Sequence, residues 1–292
     1  MTEITNNTDP RLLPARSDIA SASLKGKVRA DRFVEPLRCT VTTSLAPLHS
    51  SPDPSSQLSS QLLYGDEFDE FEKKNGWSWG QGLRDGYVGY VPTESLTSTT
   101  STPNFLVSVP ATHIYEAPDL KSPIRSWLPM GASLSIEEKS ERVGYVELEN
   151  QGWVFFEHLH PLSYKSDMIH TATTFLGSPY LWGGCSSRGL DCSALIQIIA
   201  RMAGQNIPRD TDLQEQSVGV ELTGSSGTAP VGLQRGDLVF FPGHVGIMET
   251  DVKIIHANAY HMKTVVEPLE AVIKRLAQQH EEPITSVRRP KF

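Results

Sequence analysis

Cys192 carries the strongest chemical signal in the sequence, because it lies at the start of a predicted helix. A Gly-rich segment flanked by aromatic residues, 178–191, leads into it, and the apolar spacing of residues 194–202 predicts a helix that ends at Gly204. A thiol at a helix N-terminus faces unpaired backbone N–H groups and the positive end of the helix dipole, and both favour the nucleophilic thiolate. The alternative is that Cys192 is a small buried apolar residue, as free cysteines often are.

Two histidines follow on segments that predict neighbouring antiparallel strands. Residues 237–248 carry His244 and residues 252–258 carry His256, and both segments are short runs rich in β-branched and aromatic residues. A histidine on one strand can act as general base to a thiol on a facing helix, while a polar group on the next strand orients its imidazole. The sequence thus predicts Cys192 as nucleophile, His244 as base and His256 as orienting residue. For His256 the alternative is a hydrogen-bonded core histidine.

Two further helices and a last strand are predicted around the cysteine helix. Apolar residues at helical spacing predict a helix over residues 166–176, with Ser166 as its N-cap and Gly177 at its end. The same spacing predicts a last amphipathic helix over residues 267–279, followed by a closing strand near residue 285.

Five motifs in this half of the chain occur in the order typical of one enzyme family. They are Pro-Tyr-x-Trp-Gly-Gly from residue 179, Gly-Leu-Asp-Cys-Ser-x-Leu from 189, Arg-Gly-Asp-Leu-Val-Phe-Phe from 235, Gly-His-Val-Gly-Ile from 243 and Ile-His-Ala from 255. Together they resemble the NlpC-type cysteine peptidases, papain-like bacterial endopeptidases that cut peptidoglycan stem peptides. The resemblance covers residues 163–292 and implies an α+β papain-like domain that needs no metal and no organic cofactor.

The resemblance also implies roles for residues around the thiol. Tyr180 matches a residue that stabilises the oxyanion together with the backbone N–H of Cys192, although a core tyrosine fits the sequence equally well. Asp210 and Ser193 match positions that bind the N-terminal ammonium group of a substrate, a cation that must be paired when buried. For Asp210 the alternative is a helix cap. Cys185 has no further ligands at metal-binding spacing and is interpreted as a packing residue.

Short β-rich runs separated by turns fill the first half of the chain, and they occur twice. Residues 36–98 and residues 104–161 follow the same plan, each closing on a Gly-aromatic-Val motif, which indicates an internal repeat of about 60 residues. Both copies resemble bacterial SH3-like barrels, so the predicted fold class is two small all-β barrels followed by the α+β domain. Residues 1–35 are polar and carry prolines, and they predict either an arm wrapped on the body or a disordered tail.

Two residues of the first repeat complete the predicted substrate site. Tyr87 matches a family tyrosine that walls off the pocket, which would restrict the enzyme to short peptides. Glu67 is a weaker match to a second carboxylate, and a solvated strand carboxylate is at least as good an interpretation. Both roles depend on the first barrel lying against the peptidase-like domain.

Composition and charge exclude several classes of partner. The 292 residues include 38% hydrophobic and 21% charged residues, as in ordinary globular proteins. The formal net charge of −8 argues against nucleic acid or an anionic membrane as partner. The first residues have no basic start and no apolar core, and no stretch is apolar enough to cross a bilayer, so cytoplasmic localisation is expected.

The implied reaction follows from the resemblance as a whole. Family members that carry SH3-like barrels and lack export signals resemble recycling enzymes. These hydrolyse the bond between γ-D-Glu and a diamino acid, diaminopimelate or Lys, in murein stem peptides with a free N-terminal L-Ala, and release L-Ala-γ-D-Glu. Two alternatives share the fold, namely a module that only binds peptidoglycan and an amidase or acyltransferase. The complete set of one cysteine and two histidines favours catalysis over binding alone.

Overall fold

The computed structural model describes residues 9–98, 102–137, 142–148, 151–222 and 232–291. The described residues form two compact units. Unit 1 takes its residues from Met1–Phe105, His113–Leu128 and Ala132–Val154. Unit 2 takes its residues from Leu106–Thr112, Pro129–Gly131 and Phe155–Phe292. The predicted domain over residues 104–161 therefore contributes to both units.

The first strands of the chain belong to unit 1 and build a small barrel. They are β1 (Ile19–Ser21), β2 (Arg32–Val34), β3 (Leu37–Val41), β4 (Leu45–His49), β5 (Leu58–Leu63), β6 (Glu67–Lys74), β7 (Trp77–Gly82), β8 (Val88–Pro92) and β9 (Leu96–Thr97). Strands β3 to β9 pair antiparallel in the order β5-β4-β8-β7-β6-β3-β9. Strands far apart in that order share one apolar core, so the sheet closes on itself. The core residues are Val41, Ala46, Leu48, Leu62, Phe68, Tyr87 and Val91.

The described part of the predicted arm, residues 9–35, packs on this barrel. Strands β1 and β2 pair in parallel, and Ile19 of β1 is fully buried against Phe71 and Trp79. Full burial of an isoleucine side chain stabilises a fold by roughly 1.5–3 kcal/mol. These residues therefore form an ordered arm, while residues 1–8 of the predicted arm lie outside the described residues.

A second group of strands follows between residues 105 and 161. They are β10 (Phe105–Val107), β11 (Ala111–Tyr115), β12 (Ile124–Pro129), β13 (Ser133–Leu134), β14 (Tyr145–Leu148), β15 (Gly152–Phe155) and β16 (Leu159–Pro161). Strands β12, β11, β15 and β14 pair in that order. The β content agrees with the predicted repeat. A second separate barrel stays a prediction, because these strands are divided between the two units.

Unit 2 is built on an antiparallel sheet with helices packed against it. Its elements in chain order are α1 (Met168–Thr173), β17 (Cys185–Ser186), β18 (Gly189–Leu190), α2 (Cys192–Met202), α3 (Thr211–Ser217), β19 (Val220–Glu221), β20 (Leu238–Phe241), β21 (His244–Met248), β22 (Lys253–Asn258), β23 (Lys263–Pro268), α4 (Leu269–Leu276) and β24 (Ser286–Arg289). The main sheet has the order β19-β24-β20-β21-β22-β23. Helix α2 packs on β21 and β22, and α1 packs on α2. The predicted α+β class and the closing strand are confirmed.

Capping side chains decide where the helices begin and end. The prediction of Ser166 as the first N-cap is wrong by one residue, because the carboxylate of Asp167 accepts the backbone N–H of His170 at 2.7 Å. Helix α2 ends where predicted, since Gly204 has the positive φ of 81° that glycine tolerates best. Among the described residues no helix is both long and apolar enough to cross a membrane.

The last helix begins later than predicted, and this places Glu267 on a strand. The pattern over residues 267–279 indicated a helix, but α4 starts at Leu269, with Pro268 in the N-cap position. Glu267 pairs instead with Ile254 in the ladder between β22 and β23. A residue before proline is biased towards extended backbone, so the proline explains the difference.

Candidate active site

Cys192 is the first residue of α2, as the sequence predicts. The carboxylate of Asp191 caps the helix by accepting a backbone N–H of the first turn at 2.9 Å. The Sγ atom of Cys192 lies 3.7 Å from Oγ1 of Thr211 and accepts a hydrogen bond from the backbone N–H of Val245. Because Val245 directly follows His244, the thiol lies against the peptide group that joins these two residues.

Burial dominates the electrostatics of this thiol. Cys192 is 6% exposed, and burial raises its pKa, with the carboxylate of Asp191 acting in the same direction. The Thr211 hydroxyl and the Val245 N–H lower the pKa without outweighing burial. The expectation that the helix N-terminus favours a thiolate is therefore not met in the resting site, and the thiol needs a base.

Two imidazoles and a carboxylate form a continuous chain of hydrogen bonds on three neighbouring strands. His244 begins β21 and His256 lies on β22, so the predicted neighbouring antiparallel strands are confirmed. The Nε2 atom of His244 lies 2.8 Å from Nδ1 of His256. The Nε2 atom of His256 lies 2.9 Å from Oε1 of Glu267 on β23. These contacts leave Nδ1 of His244 as the nitrogen that can take up a proton.

Strand register explains why these side chains meet. Ile254 of β22 pairs with Glu267 on one side and, on the other, with the residue of β21 four positions after His244. Because side chains alternate along a strand, His244, His256 and Glu267 share one face of the sheet. A Cβ atom at Gly246 of β21 would stand 2.6 and 2.8 Å from side-chain carbons of Ile254 and 3.0 Å from Cβ of His256. Glycine thus leaves room for these two side chains of β22.

Burial keeps both histidines neutral, while Glu267 stays charged. Burial lowers the pKa of His244 to about 3 and also lowers the pKa of His256, although the Glu267 carboxylate opposes both shifts. Burial disfavours the charged form of Glu267, but hydrogen bonds from His256 and Arg275 outweigh it and lower its pKa to about 2. At neutral pH the site therefore holds two neutral imidazoles beside an ionised carboxylate.

The buried neutral histidines predict a loss of stability at mildly acid pH. In the unfolded chain a histidine takes up a proton below about pH 6.5, whereas His244 in the fold stays neutral down to about pH 3. The free energy of unfolding is expected to fall from pH 7 to pH 5, by up to about 1.4 kcal/mol per pH unit for each such histidine. Thermal unfolding followed by circular dichroism measures this. His244→Asn is expected to reduce this dependence of the unfolding free energy on pH. Equal slopes against pH in wild type and in His244→Asn would contradict the assignment of His244 as a neutral histidine.

Tyr180 lies close enough to Cys192 to be influenced by its charge, and Asp210 neighbours a residue that contacts the thiol. Burial, together with the charge that Cys192 can carry, raises the pKa of Tyr180 to about 12, so its hydroxyl keeps a proton that it can donate. Asp210 directly precedes Thr211, whose hydroxyl contacts Sγ of Cys192. It occupies the N-cap position of α3, but its side chain makes no capping hydrogen bond. The roles of both residues towards a substrate stay predictions.

Ser193 belongs to a buried network that the sequence did not indicate. Its hydroxyl accepts a hydrogen bond from Arg209 at 2.8 Å and donates to Asp191 at 3.3 Å. Arg209 is 1% exposed and binds both carboxylate oxygens of Asp191, at 2.6 and 3.0 Å. The predicted substrate contact of Ser193 stays a prediction, and its side chain is engaged within the protein. An aspartate directly before an apolar helix was the signal available for Asp191.

The two predicted site residues of the first repeat lie in unit 1. Tyr87 is buried in the barrel core. Glu67 begins β6 with its side chain 48% exposed and pairs with Arg38 at 3.2 Å, the contact of a solvated strand carboxylate. Cys185 of unit 2 is buried with Sγ 3.8 Å from the carbonyl O of Gly183, which agrees with packing. In the described part of the chain, no cluster of three or more His, Cys, Asp or Glu residues could hold a metal ion.

Two models of known protein families match the chain. Residues 48–96 match the bacterial dipeptidyl-peptidase SH3 domain, and residues 177–281, which contain the thiol and both histidines, match the NlpC/P60 family. The chain therefore carries an NlpC/P60 domain. The predicted cysteine peptidase is thereby confirmed, and a bacterial SH3 domain precedes the NlpC/P60 domain in the chain.

Curated relatives and a solved structure agree with this assignment. A Bacillus cereus protein named gamma-D-glutamyl-L-lysine dipeptidyl-peptidase is 29% identical over 249 residues, which are 74% of this chain and 72% of the relative. A Bacillus subtilis protein of the same name is 30% identical over 188 residues, 59% of this chain and 60% of the relative. The crystal structure of an NlpC/P60 family protein from Bacillus cereus matches with a TM-score of 0.71 and 24% identity, over 87% of this chain and 99% of that one. This likeness confirms the fold that carries the NlpC/P60 site.

Proposed function

We propose that this protein hydrolyses the amide bond between γ-D-Glu and a diamino acid, diaminopimelate or Lys, in peptidoglycan-derived peptides with a free N-terminal L-Ala. It releases the dipeptide L-Ala-γ-D-Glu. The observation that carries the proposal is the buried thiol of Cys192 beside the hydrogen-bonded pair His244 and His256, because this arrangement supplies a nucleophile, a base and an orienting group. The bond and substrate class are supported by the names of the two Bacillus relatives.

The reaction proceeds by acyl transfer to the thiol. Nδ1 of His244 takes the thiol proton while Sγ of Cys192 attacks the γ-carbonyl carbon of D-Glu. The oxyanion receives hydrogen bonds from the Tyr180 hydroxyl and from the backbone N–H of Cys192. Cleavage of the C–N bond leaves a thioester, and His244 returns the proton to the departing amine. Water then attacks the thioester with His244 as base, which releases the dipeptide acid and restores the thiol.

Selectivity for a free N-terminus is assigned to Asp210. Its carboxylate precedes Thr211, which contacts the nucleophile, and it is not used as the cap of α3. An ammonium group that leaves water on binding requires such a partner. An N-acetylated peptide has no ammonium group, so it gains no ion pair with this carboxylate.

The organisation of the whole chain is proposed on the same basis. The arm over residues 1–35 precedes two SH3-like barrels over residues 36–98 and 104–161, and the peptidase domain spans residues 163–292. The shared β plan of the two repeats and the match of the first one to an SH3 domain support two barrels. A role in recycling murein peptides in the cytoplasm would fit a substrate that is short and carries a free amine.

The test is mass-resolved hydrolysis of synthetic L-Ala-γ-D-Glu-diaminopimelate and its Lys analogue, each beside its N-acetylated form. Only the free-amine peptides are expected to be cleaved. Asp210→Asn is expected to raise their KM by about 10- to 100-fold, or roughly 1.4–2.7 kcal/mol, because the ammonium group of the substrate loses its charged partner. Asp212→Asn, an exposed acidic residue on α3, serves as the matched control and is expected to change little.

The outcomes separate the alternatives. Equal cleavage of free and acetylated peptides would keep the peptidase and remove the free-amine restriction. Cleavage of neither, together with binding to intact sacculi, would point to a binding module. A product heavier than that of hydrolysis would indicate acyl transfer to an acceptor other than water.

A further inference from the structure

The hydrogen-bonded chain that begins at His244 does not end at His256. Glu267 accepts from His256 at 2.9 Å and is itself held by Arg275 of α4, whose two terminal nitrogens donate at 2.6 and 3.1 Å. The guanidinium of Arg275 lies over the ring of Tyr260, 4.2 Å from its centroid. His256 is 1% exposed and the Glu267 side chain 12% exposed, so water scarcely competes for these contacts. A carboxylate that is shielded from water and accepts two hydrogen bonds from one guanidinium has a fixed position and stays ionised.

A fixed carboxylate dictates where the protons on both imidazoles reside. Glu267 can only accept, so His256 must present an N–H at Nε2. A neutral His256 then has its lone pair at Nδ1, where it must accept from Nε2–H of His244. His244 is thereby left with its own lone pair at Nδ1. This is the nitrogen that the proposed mechanism needs as base.

We propose that Glu267, clamped by Arg275, is a positioning residue that sets the tautomers of His256 and His244 and so keeps Nδ1 of His244 free of a proton. The inference rests on the proposed function for the identity of nucleophile and base. It assigns Glu267 no contact with substrate. Its influence passes through two imidazoles, each of which can carry its proton on either nitrogen.

Other charged and titratable groups around His256 support this assignment. His256 faces His244, Glu267, Arg275 and His261, and the Nε2 atom of His261 lies 3.4 Å from Oε1 of Glu267. Burial lowers the pKa of His256 even though Glu267 acts against it. His256 therefore stays neutral at neutral pH, and a neutral imidazole has only one N–H to place. Were His256 doubly protonated, it would donate from Nδ1 to Nε2 of His244 and so place the proton of a neutral His244 on Nδ1.

Glu267→Met is the sharpest variant, because it keeps the length of the side chain and removes the acceptor. A glutamine would be less decisive, since Oε1 of Glu267 accepts from both His256 and Arg275 and an amide oxygen can take the same position. In Glu267→Met the guanidinium of Arg275 has no carboxylate to pair with and is expected to donate to Nε2 of His256. His256 must then carry its proton on Nδ1 and donate to Nε2 of His244, which leaves His244 with N–H at Nδ1. That tautomer cannot accept the proton of the thiol.

The experiment combines imidazole ¹⁵N spectra of the substrate-free protein with steady-state kinetics. In wild type, both histidines are expected to carry the proton on Nε2, and in Glu267→Met both are expected to carry it on Nδ1. The kcat is expected to fall by about 10- to 100-fold, the usual effect of losing a partner behind a functional histidine. The KM is expected to stay within about twofold, because Glu267 does not touch the substrate.

Two further variants keep the result interpretable. Glu270→Gln changes an exposed glutamate that pairs with Lys274 at 2.6 Å, and it is expected to alter neither spectra nor kinetics. Arg275→Gln loosens the clamp but leaves the carboxylate, so the wild-type tautomers are expected to persist. Wild-type tautomers in Glu267→Met, or a kcat within twofold of wild type, would overturn the proposal. Loss of the Nε2 pattern in Arg275→Gln to the same degree would reduce Glu267 to a structural role.

Failure of the proposed function would be seen separately. If wild type cleaves none of the peptides, the tautomers can still be recorded without substrate. The rate at which iodoacetamide alkylates Cys192 then replaces kcat, since alkylation also needs the thiol proton removed. Slower alkylation of Glu267→Met than of Glu270→Gln would support the positioning role whatever the natural substrate is, and equal rates would contradict it.

Discussion

Cys192→Ala is expected to abolish hydrolysis of the free-amine peptides, with a loss of kcat on the order of 10⁴-fold or more. The alanine keeps the start of α2, because the helix cap is made by Asp191 and not by the thiol. What disappears is the atom that forms the thioester. Tyr180 keeps its proton, since burial raises its pKa to about 12. Cleavage is followed by mass-resolved product analysis under saturating substrate.

A matched cysteine variant separates chemistry from packing. Cys39→Ala removes another buried thiol, on β3 of unit 1, and is expected to leave kcat unchanged within about twofold. The deleted sulfur leaves a small cavity, which is expected to lower the free energy of unfolding by about 1 kcal/mol. This effect would be seen in thermal unfolding and not in kcat. Residual activity of Cys192→Ala within tenfold of wild type would require a different nucleophile.

Local patterns were enough to place the nucleophile and its two histidines. Cys192 was predicted at a helix start because glycines precede it and apolar residues follow at helical spacing. His244 and His256 were predicted on adjacent strands because each lies in a short β-branched run with turn residues between. In each case the signal lies within about ten residues of the functional atom, the range over which periodicity and caps are informative.

The residues that hold the catalytic groups in place could not be predicted from local patterns. Glu267 was assigned to a helix, since the amphipathic pattern continued through it, whereas its role depends on its register opposite Ile254. Arg209 lies in a polar motif, and arginine is usually exposed. The neighbouring residues therefore give no indication that it is buried. The repeat over residues 104–161 showed a period but not how its strands divide between two units. Each of these features depends on contacts between distant parts of the chain.

Arg209→Met is expected to lower the free energy of unfolding by about 3–5 kcal/mol, the usual result of removing one partner from a buried ion pair. Arg209 binds both oxygens of Asp191, at 2.6 and 3.0 Å, and also the hydroxyl of Ser193. Methionine fills much of the same volume but leaves the Asp191 carboxylate buried without its cation, among backbone N–H groups and the Ser193 hydroxyl. Because that carboxylate caps α2, the loss also disturbs the helix that presents Cys192. Urea unfolding followed by circular dichroism measures the change.

The chain supplies its own control for this prediction. Arg235→Met breaks a pair of the same type with Asp167, also at 2.6 Å, but both side chains are about half exposed. An exposed pair contributes only about 0–1 kcal/mol, so this variant is expected to unfold almost as wild type does. Adding Asp191→Asn to Arg209→Met removes the stranded charge and is expected to restore part of the loss. Equal losses in the two arginine variants would mean that the cost comes from missing side-chain contacts. A larger loss at Arg209, partly restored by Asp191→Asn, identifies the buried charge as the cause.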